Sequence, residues 1–275
     1  MNAHPHARDA SLARFGEALY DALVSRIPIP PITDSVPDLT LLDAYGIQKV
    51  FVERRMTAEG SHIVGRKIGV TSKAVQDLLN VRQPDFGNLL STMSYRDHAS
   101  IVVDTMISPR AEGEIAFMLK HDLVGPGLMA ADVLRATECV MPCFEIVDSR
   151  ISNWRIRIQD TVADNASSGV FVLGTGACDP RRIDLTLVGM SIEKNDEIVG
   201  TGAGAAALGH PLNAVAWLAN TLASVDVALR AGEIVLSGAL SALVPVKAGD
   251  RLNMALGGIG LASVNFTGEV DGRPM

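Results

Sequence analysis

An α+β fold, a helical N-terminal part attached to a larger β-rich body, follows from three features of the 275-residue sequence. Before residue 60 the chain carries helix patterning and helix boundary signals. After residue 60 the apolar period changes to two. Near the C-terminus Ala262, Val264 and Phe266 alternate with Ser263 and Asn265 behind a Gly257-Gly258-Ile259-Gly260 turn, which marks a half-buried strand. The expected division is residues 1–62 for the helical region and 63–275 for the β-rich body, joined in one compact unit.

Residues 10–24 read as a helix, followed by Ile27-Pro28-Ile29-Pro30-Pro31, which cannot lie inside one. Thr40-Leu-Leu-Asp43 has capping-box form and opens a second helix to about Glu59, stopped by Gly60. Residues 64–70 read as a strand, with Val64, Ile68 and Val70 on one face and Gly65, Lys67 and Gly69 on the other. Met190 and Ile192 precede Asn195-Asp196, a two-residue hairpin turn. Pro211 suits the first position of a helix that places Val215, Leu218, Ala219 and Leu222 on one face. Residues 170–173, 233–236 and 251–256 are further strands.

A formal charge of −7 argues against nucleic acid as a general partner, because phosphate binding needs a basic face. Cys139, Cys143 and Cys178 are odd in number and form no C-x-x-C pair, so free thiols in a reducing compartment are expected. The N-terminus lacks a basic-then-apolar signal pattern. Residues 198–225 contain no Asp, Glu, Lys or Arg, but glycines, Pro211, Asn213 and Asn220 interrupt them too often for a membrane span. The expectation is a cytoplasmic chain with no membrane partner. Gly200-Thr-Gly202-Ala-Gly204 lacks the third glycine of a dinucleotide loop. His62, His98, His121 and His210 are too scattered for a zinc site, and Trp154 and Trp217 read as packing residues.

Four features carry chemistry. Glu112-Gly-Glu114 enters the apolar run 115–119, so on a strand both carboxylates share one face. Glu145 sits alone inside the apolar run Met141–Val147. Carboxylates on apolar strands must be protonated, paired, or neutralised by a cation, and oxygen-only ligands favour Mg²⁺ or Mn²⁺ over zinc. A solvent-facing edge strand with an ion pair to Arg110 or Arg150 explains the same spacing, and from spacing alone both readings stand. Lys67 lies between Gly65 and Gly69, whose bare backbone leaves room for a ligand beside the ammonium, although a surface lysine on an edge strand fits too. Gln83-Pro-Asp85-Phe-Gly87 is a loop holding an acid, or a plain turn. The run from Asp160 to Gly169 is dense in short hydrogen-bonding side chains, which can hold a carboxylate ligand or satisfy their own backbone.

In this order the segments Gly65-Arg-Lys67-Ile-Gly-Val-Thr-Ser-Lys-Ala-Val-Gln76, Gln83-Pro-Asp-Phe-Gly87, Pro109-Arg-Ala-Glu112-Gly-Glu114-Ile-Ala-Phe117, Cys143-Phe-Glu145-Ile-Val-Asp-Ser-Arg150 and Asp160-Thr-Val-Ala-Asp-Asn-Ala-Ser167-Ser-Gly169 resemble the 2-hydroxypenta-2,4-dienoate hydratases. These hydratases, of aromatic meta-cleavage pathways, belong to the fumarylacetoacetate hydrolase superfamily and are relatives of the 4-oxalocrotonate decarboxylases. The resemblance runs from about Leu12 to Phe266. It implies a mixed β-roll core, Mg²⁺ or Mn²⁺ held by Glu112, Glu114 and Glu145, catalytic Lys67 and Asp85 beside the substrate, and Ser167 near the substrate carboxylate. It also implies a homo-oligomer and leaves room for association with a partner 4-oxalocrotonate decarboxylase. The implied reaction is hydration of 2-hydroxypenta-2,4-dienoate to 4-hydroxy-2-oxopentanoate. The alternatives are decarboxylation, C–C hydrolysis of acylpyruvase type, and a structural subunit, the last disfavoured because every site position is filled.

Overall fold

Thr40 shows how local chemistry sets the first boundaries. In the computed structural model, which describes residues 5–78 and 80–268, Asp43 N donates to the Thr40 hydroxyl at 3.1 Å. Thr40 N donates back to Asp43 Oδ2 at 3.0 Å, completing the expected capping box. Gly60 ends that helix at φ +61, a left-handed conformation that glycine adopts without a Cβ clash. The helices are α1 (Pro5–Ser25), α2 (Ile32–Ser35), α3 (Leu41–Glu59), α4 (Lys73–Leu78), α5 (Ala130–Ala136), α6 (Ile158–Ala163) and α7 (Pro211–Ala223). Pro211 opens α7 as expected, and the His210 imidazole caps it by accepting from Leu212 N at 3.1 Å.

The strands are β1 (Ile63–Gly69), β2 (Asp85–Leu90), β3 (Ser94–Arg96), β4 (Ala99–Val102), β5 (Arg110–Leu119), β6 (Thr137–Val147), β7 (Ser168–Leu173), β8 (Gly189–Lys194), β9 (Glu197–Ala203), β10 (Ile234–Leu236), β11 (Val244–Pro245), β12 (Arg251–Leu256) and β13 (Gly260–Thr267). They build a sheet of order β2-β1-β10-β5-β6-β7-β3, with β11 paired to β5, and a second sheet of order β4-β13-β12-β8-β9. Both are mixed: β1/β10, β3/β7 and β4/β13 are parallel and the other pairs antiparallel. The β8–β9 turn is the two-residue Asn195-Asp196 hairpin, with both residues at positive φ (53° and 71°), as a type I′ turn requires. The glycines of the 200–204 run have a packing role: a Cβ on Gly202 or Gly204 would meet Leu240 O at 2.0 Å or Leu185 O at 1.7 Å.

Strand alternation divides the large sheet into two faces. Ile115, Phe117, Phe144 and Ile146 pack against Ile192, Met254, Val264 and Phe266 of the second sheet. Gly113 shares that face, where a Cβ would meet Met190 Sδ at 2.5 Å. Glu112, Glu114 and Glu145 therefore point the other way, into the layer that holds Ala116, Cys143, Phe171 and Val52 of α3. The N-terminal helices have their own core, with Leu19, Ile47 and Phe51 against Ile151, Ile158 and Val162. The expected border at residues 62 and 63 falls where β1 begins, and this core crosses it. Residues 1–4, 79 and 269–275 of the two expected regions lie outside the described residues.

Candidate active site

Antiparallel register does what sequence spacing could not: it puts Glu145 of β6 directly opposite Glu112 of β5, with Glu114 one pleat along opposite Cys143. One carboxylate oxygen from each of Glu112, Glu114 and Glu145 lies within 4.8 Å of the other two. Glu114 and Glu145 are fully enclosed, and Glu112 is half-buried at the edge of a cavity of about 440 Å³. The solvent-facing alternative fails because β5 and β6 are interior strands. The arginines offered as ion partners are engaged elsewhere, Arg150 with Asp164 at 2.5 Å and Arg110 over the Trp154 ring at 4.4 Å. The cation that reaches the cluster is Lys67, whose Nζ lies 3.2 Å from Glu145 Oε2.

Lys67 is not on an edge. Its strand runs between β2 and β10, and the residue is 3% exposed. Its ammonium donates to Ala166 O at 3.1 Å. Burial alone would lower its pKa, but the carboxylates of Glu145, Glu112, Asp85 and Glu114 outweigh burial and raise it. The two flanking glycines serve different ends. A Cβ on Gly69 would meet Asp85 Oδ1 at 2.1 Å and Lys67 Nζ at 3.5 Å, so Gly69 clears the site. A Cβ on Gly65 would strike Ile234 O at 2.0 Å, so Gly65 permits the parallel pairing with β10 rather than making room for a ligand.

Asp85 begins β2 instead of lying in a loop, opposite Gly69 and 2% exposed. Burial pushes its carboxyl up to about 6, against the opposing pull of Lys67. Burial likewise raises Glu112 to about 7, with Lys67 opposing and Glu145 and Asp85 adding, and lifts Glu114 well above the carboxylate range. One ammonium cannot neutralise four carboxylates, three of them buried, so protons or a cation must make up the difference.

The Asp160–Gly169 run mostly satisfies itself. Asp160 accepts from Thr33 N (3.0 Å), the Thr33 hydroxyl (2.7 Å) and Arg157 N (2.9 Å). Asp164 accepts from Arg150 Nε, Arg150 N and the Ser149 hydroxyl. Immediately after Asp164, residues Asn165, Ala166 and Ser167 all take positive φ (54°, 51° and 54°), which turns the Ala166 carbonyl onto Lys67 and leaves Ser167 lining the cavity. Trp154, read from sequence as a packing residue, is half-buried beside the same cavity, with Val75, Ile156 and Leu243. Sequence reasoning also missed Gln48, Asn88 and Asn165, whose mutual contacts span 40 and 77 residues and leave no trace in spacing.

The donor set fits a hard divalent cation. Among the described residues, Glu114 Oε1 and both Glu145 oxygens are buried without a hydrogen-bond partner; Lys67 lies close to Glu145 but is not aimed along a hydrogen bond. Unsatisfied carboxyl oxygens at such separations are what an oxygen-seeking ion requires.

The fumarylacetoacetate hydrolase C-terminal family model matches residues 63–266. A 2-hydroxyhexa-2,4-dienoate hydratase of Comamonas testosteroni is 54% identical over 92% of this chain and 96% of its own. A 2-hydroxypent-2,4-dienoate hydratase of Pseudomonas putida is 57% identical over 78% of this chain and 96% of its own. The 4-oxalocrotonate decarboxylase of Pseudomonas putida G7, complexed with magnesium and adipate, superposes with a TM-score of 0.90 at 36% identity, covering 97% of this chain and all of that one. The chain belongs to the fumarylacetoacetate hydrolase family and, within it, to the 2-hydroxypenta-2,4-dienoate hydratase branch.

Proposed function

We propose that this protein is a divalent-metal-dependent hydro-lyase that adds water to 2-hydroxypenta-2,4-dienoate and gives 4-hydroxy-2-oxopentanoate, in aromatic meta-cleavage catabolism. The observation that carries the reading is the cluster of Glu112, Glu114 and Glu145, short of hydrogen-bond donors and opening beside Lys67 and Asp85 onto one cavity. The three glutamates would hold Mg²⁺ or Mn²⁺, which when bound supplies Lewis-acid stabilisation of charge on the substrate's 2-oxygen. Magnesium in the related decarboxylase structure supports a divalent ion of this kind.

The chain's own groups handle protons and orientation. Lys67, fixed by Ala166 O and Glu145, presents an ammonium that stabilises negative charge on the 2-oxygen as its proton leaves. Asp85, pushed up to about 6, can take the 2-hydroxyl proton and carry it to C5 during ketonisation, then take one from water during its addition at C4 and return it to C3. Ser167 offers a hydroxyl to the substrate carboxylate, and the apolar wall of Val75, Ile156 and Leu243 accommodates the hydrocarbon end. The cavity's described charged lining consists of Lys67, Asp85 and Glu112, so Lys67 is its one cation. The second carboxylate of 4-oxalocrotonate would meet Asp85 without a counter-charge, which favours hydration over decarboxylation.

Among the described residues no helix is long and apolar enough to cross a membrane, and the three cysteines are free thiols. We infer a cytoplasmic enzyme that works as a homo-oligomer, as the family resemblance implies, with the decarboxylase as a candidate partner. The deciding experiment supplies freshly generated 2-hydroxypenta-2,4-dienoate and, separately, 4-oxalocrotonate, and identifies the products. Hydrated product from the first and little CO₂ from the second are expected. Efficient CO₂ release from the dicarboxylate would replace the hydratase reading with the decarboxylase one.

A further inference from the structure

β2 is the outermost strand of the large sheet, so among the described residues its outer backbone edge has no strand partner. Side-chain amides occupy that edge instead. Asn165 Oδ1 accepts from Asn88 N at 2.7 Å while Asn165 Nδ2 donates to Asn88 O at 2.9 Å, reproducing with one side chain the pair of bonds a neighbouring strand would make. Gln48, on α3 and 3% exposed, donates from Nε2 to Phe86 O at 3.0 Å and to Val162 O at 2.9 Å. Its Oε1 accepts from Asn88 Nδ2 at 3.2 Å. Three amides thus tie the strand that begins at Asp85 to α6 and to the left-handed turn that presents Ala166 O to Lys67 and Ser167 to the cavity. The fit is close: a Cβ on Gly87 would meet Asn165 O at 2.5 Å.

We propose that Gln48, Asn88 and Asn165 form a positioning clamp that holds Asp85, Lys67 and Ser167 in mutual register during the two-step reaction. The clamp rests on the hydratase reading and extends it by giving the N-terminal helical region a part in proton transfer. None of the three side chains is required to touch substrate. Their effect runs through two backbone segments: residues 86–88 behind Asp85, and residues 165–167 behind Lys67. When the clamp loosens, the group that protonates C5 and the water to be added at C4 no longer share one geometry. Ketonisation and hydration then uncouple, and the unsaturated ketone 2-oxopent-3-enoate escapes before water adds.

The test uses Gln48→Glu and Asn165→Asp in the full-length enzyme loaded with Mn²⁺. Each change keeps side-chain shape while placing a carboxylate oxygen against the backbone carbonyl that now accepts from an amide N–H. kcat is expected to fall at least tenfold, with KM and Mn²⁺ affinity within about twofold of wild type, and 2-oxopent-3-enoate is expected to appear as a released product that wild type does not give. Should Gln48→Glu fail to fold, Gln48→Met, which removes the same bonds without adding charge, is held to the same two readouts. A lower Tm with unchanged kcat per folded molecule and no released ketone would overturn the clamp, because that is the signature of a merely structural network. Wild-type turnover is measured first: if wild type does not hydrate the dienoate, the hydratase reading fails, and that failure is distinct from a failure of the clamp.

Discussion

Two sets of buried carboxylates lie close together in this molecule and are treated in opposite ways. Asp164 is fully enclosed and well supplied: Arg150 Nε donates to one oxygen, and Arg150 N and the Ser149 hydroxyl donate to the other. Arg150 is itself fully buried, with Nη1 donating to Asp148 O and Ser168 O and Nη2 to Asp164 O. Glu114 and Glu145 of the glutamate cluster have the same burial and few donors. Glu114 has one, Gly238 N at 2.8 Å on Oε2, and its other oxygen and both of Glu145's have none among the described residues. Asp85 belongs with the starved group, since its Oδ1 is also buried without a partner. A buried acid with its donors in place is architecture, whereas one without them is held ready for something that arrives later.

If that contrast is right, removing a starved acid should cost activity and removing a satisfied partner should cost stability. The largest effect is expected at Asp85→Asn, with kcat down by about 10²–10⁴, the usual weight of a general acid–base group, while divalent-ion affinity stays unchanged. The same role gives a pH dependence with a defined sign. If Asp85 must be ionised in the free enzyme to accept a proton, kcat/KM falls as pH drops through about 6, and Asp85→Asn loses that limb. A stopped assay across pH 4.5–8 checks both.

Next in size is Arg150→Met. It leaves Asp164 buried without its cation and should destabilise the fold by about 3–5 kcal/mol, read from urea unfolding. Glu114→Gln should behave oppositely, with activity lost and the metal-free protein at least as stable as wild type. A large stability loss in Glu114→Gln would erase the distinction between the two sets.

A smaller effect separates the sets by pH. In the metal-free protein Glu112 (about 7) and Glu114 bind protons more tightly than in the unfolded chain. Between the ordinary carboxylate range and about pH 7 the folded state therefore holds more protons, and stability decreases as pH rises through that window. Thermal unfolding in chelator should give a higher Tm at pH 5.5 than at pH 7.5, and Glu114→Gln should flatten the slope.

How far the sequence foretells this depends on the range of the interaction concerned. Capping at Thr40, the stop at Gly60, the Asn195-Asp196 turn and the Pro211 helix start are local, and all appear where residue chemistry puts them. Glu112 and Glu114 share a face because strand alternation is also local. That Glu145 lies opposite Glu112, that Lys67 rather than an arginine answers the cluster, and that Gly65 serves β10 depend on strand register and sheet order. No residue spacing encodes those. Pro84 and Gly87 are turn formers and suggest a loop around Asp85, yet pairing with β1 makes it the first residue of a strand. The amides of Gln48, Asn88 and Asn165 are invisible in the sequence for the same reason: each is an ordinary polar residue until three distant segments meet.

Both the contrast and the proposed chemistry require the carboxylates of Glu112, Glu114 and Glu145 to be a cation site. Calorimetric titration of Mn²⁺ into chelator-treated protein tests this without relying on turnover. Wild type should take up one ion per chain and gain thermal stability in proportion to its saturation, by about 2.7 kcal/mol at a hundred times Kd. Glu114→Gln and Glu145→Gln should show neither the binding heat nor the Tm shift. Undiminished binding in both variants, or a wild-type enzyme that binds no divalent ion and turns over fully in chelator, would contradict the cation site.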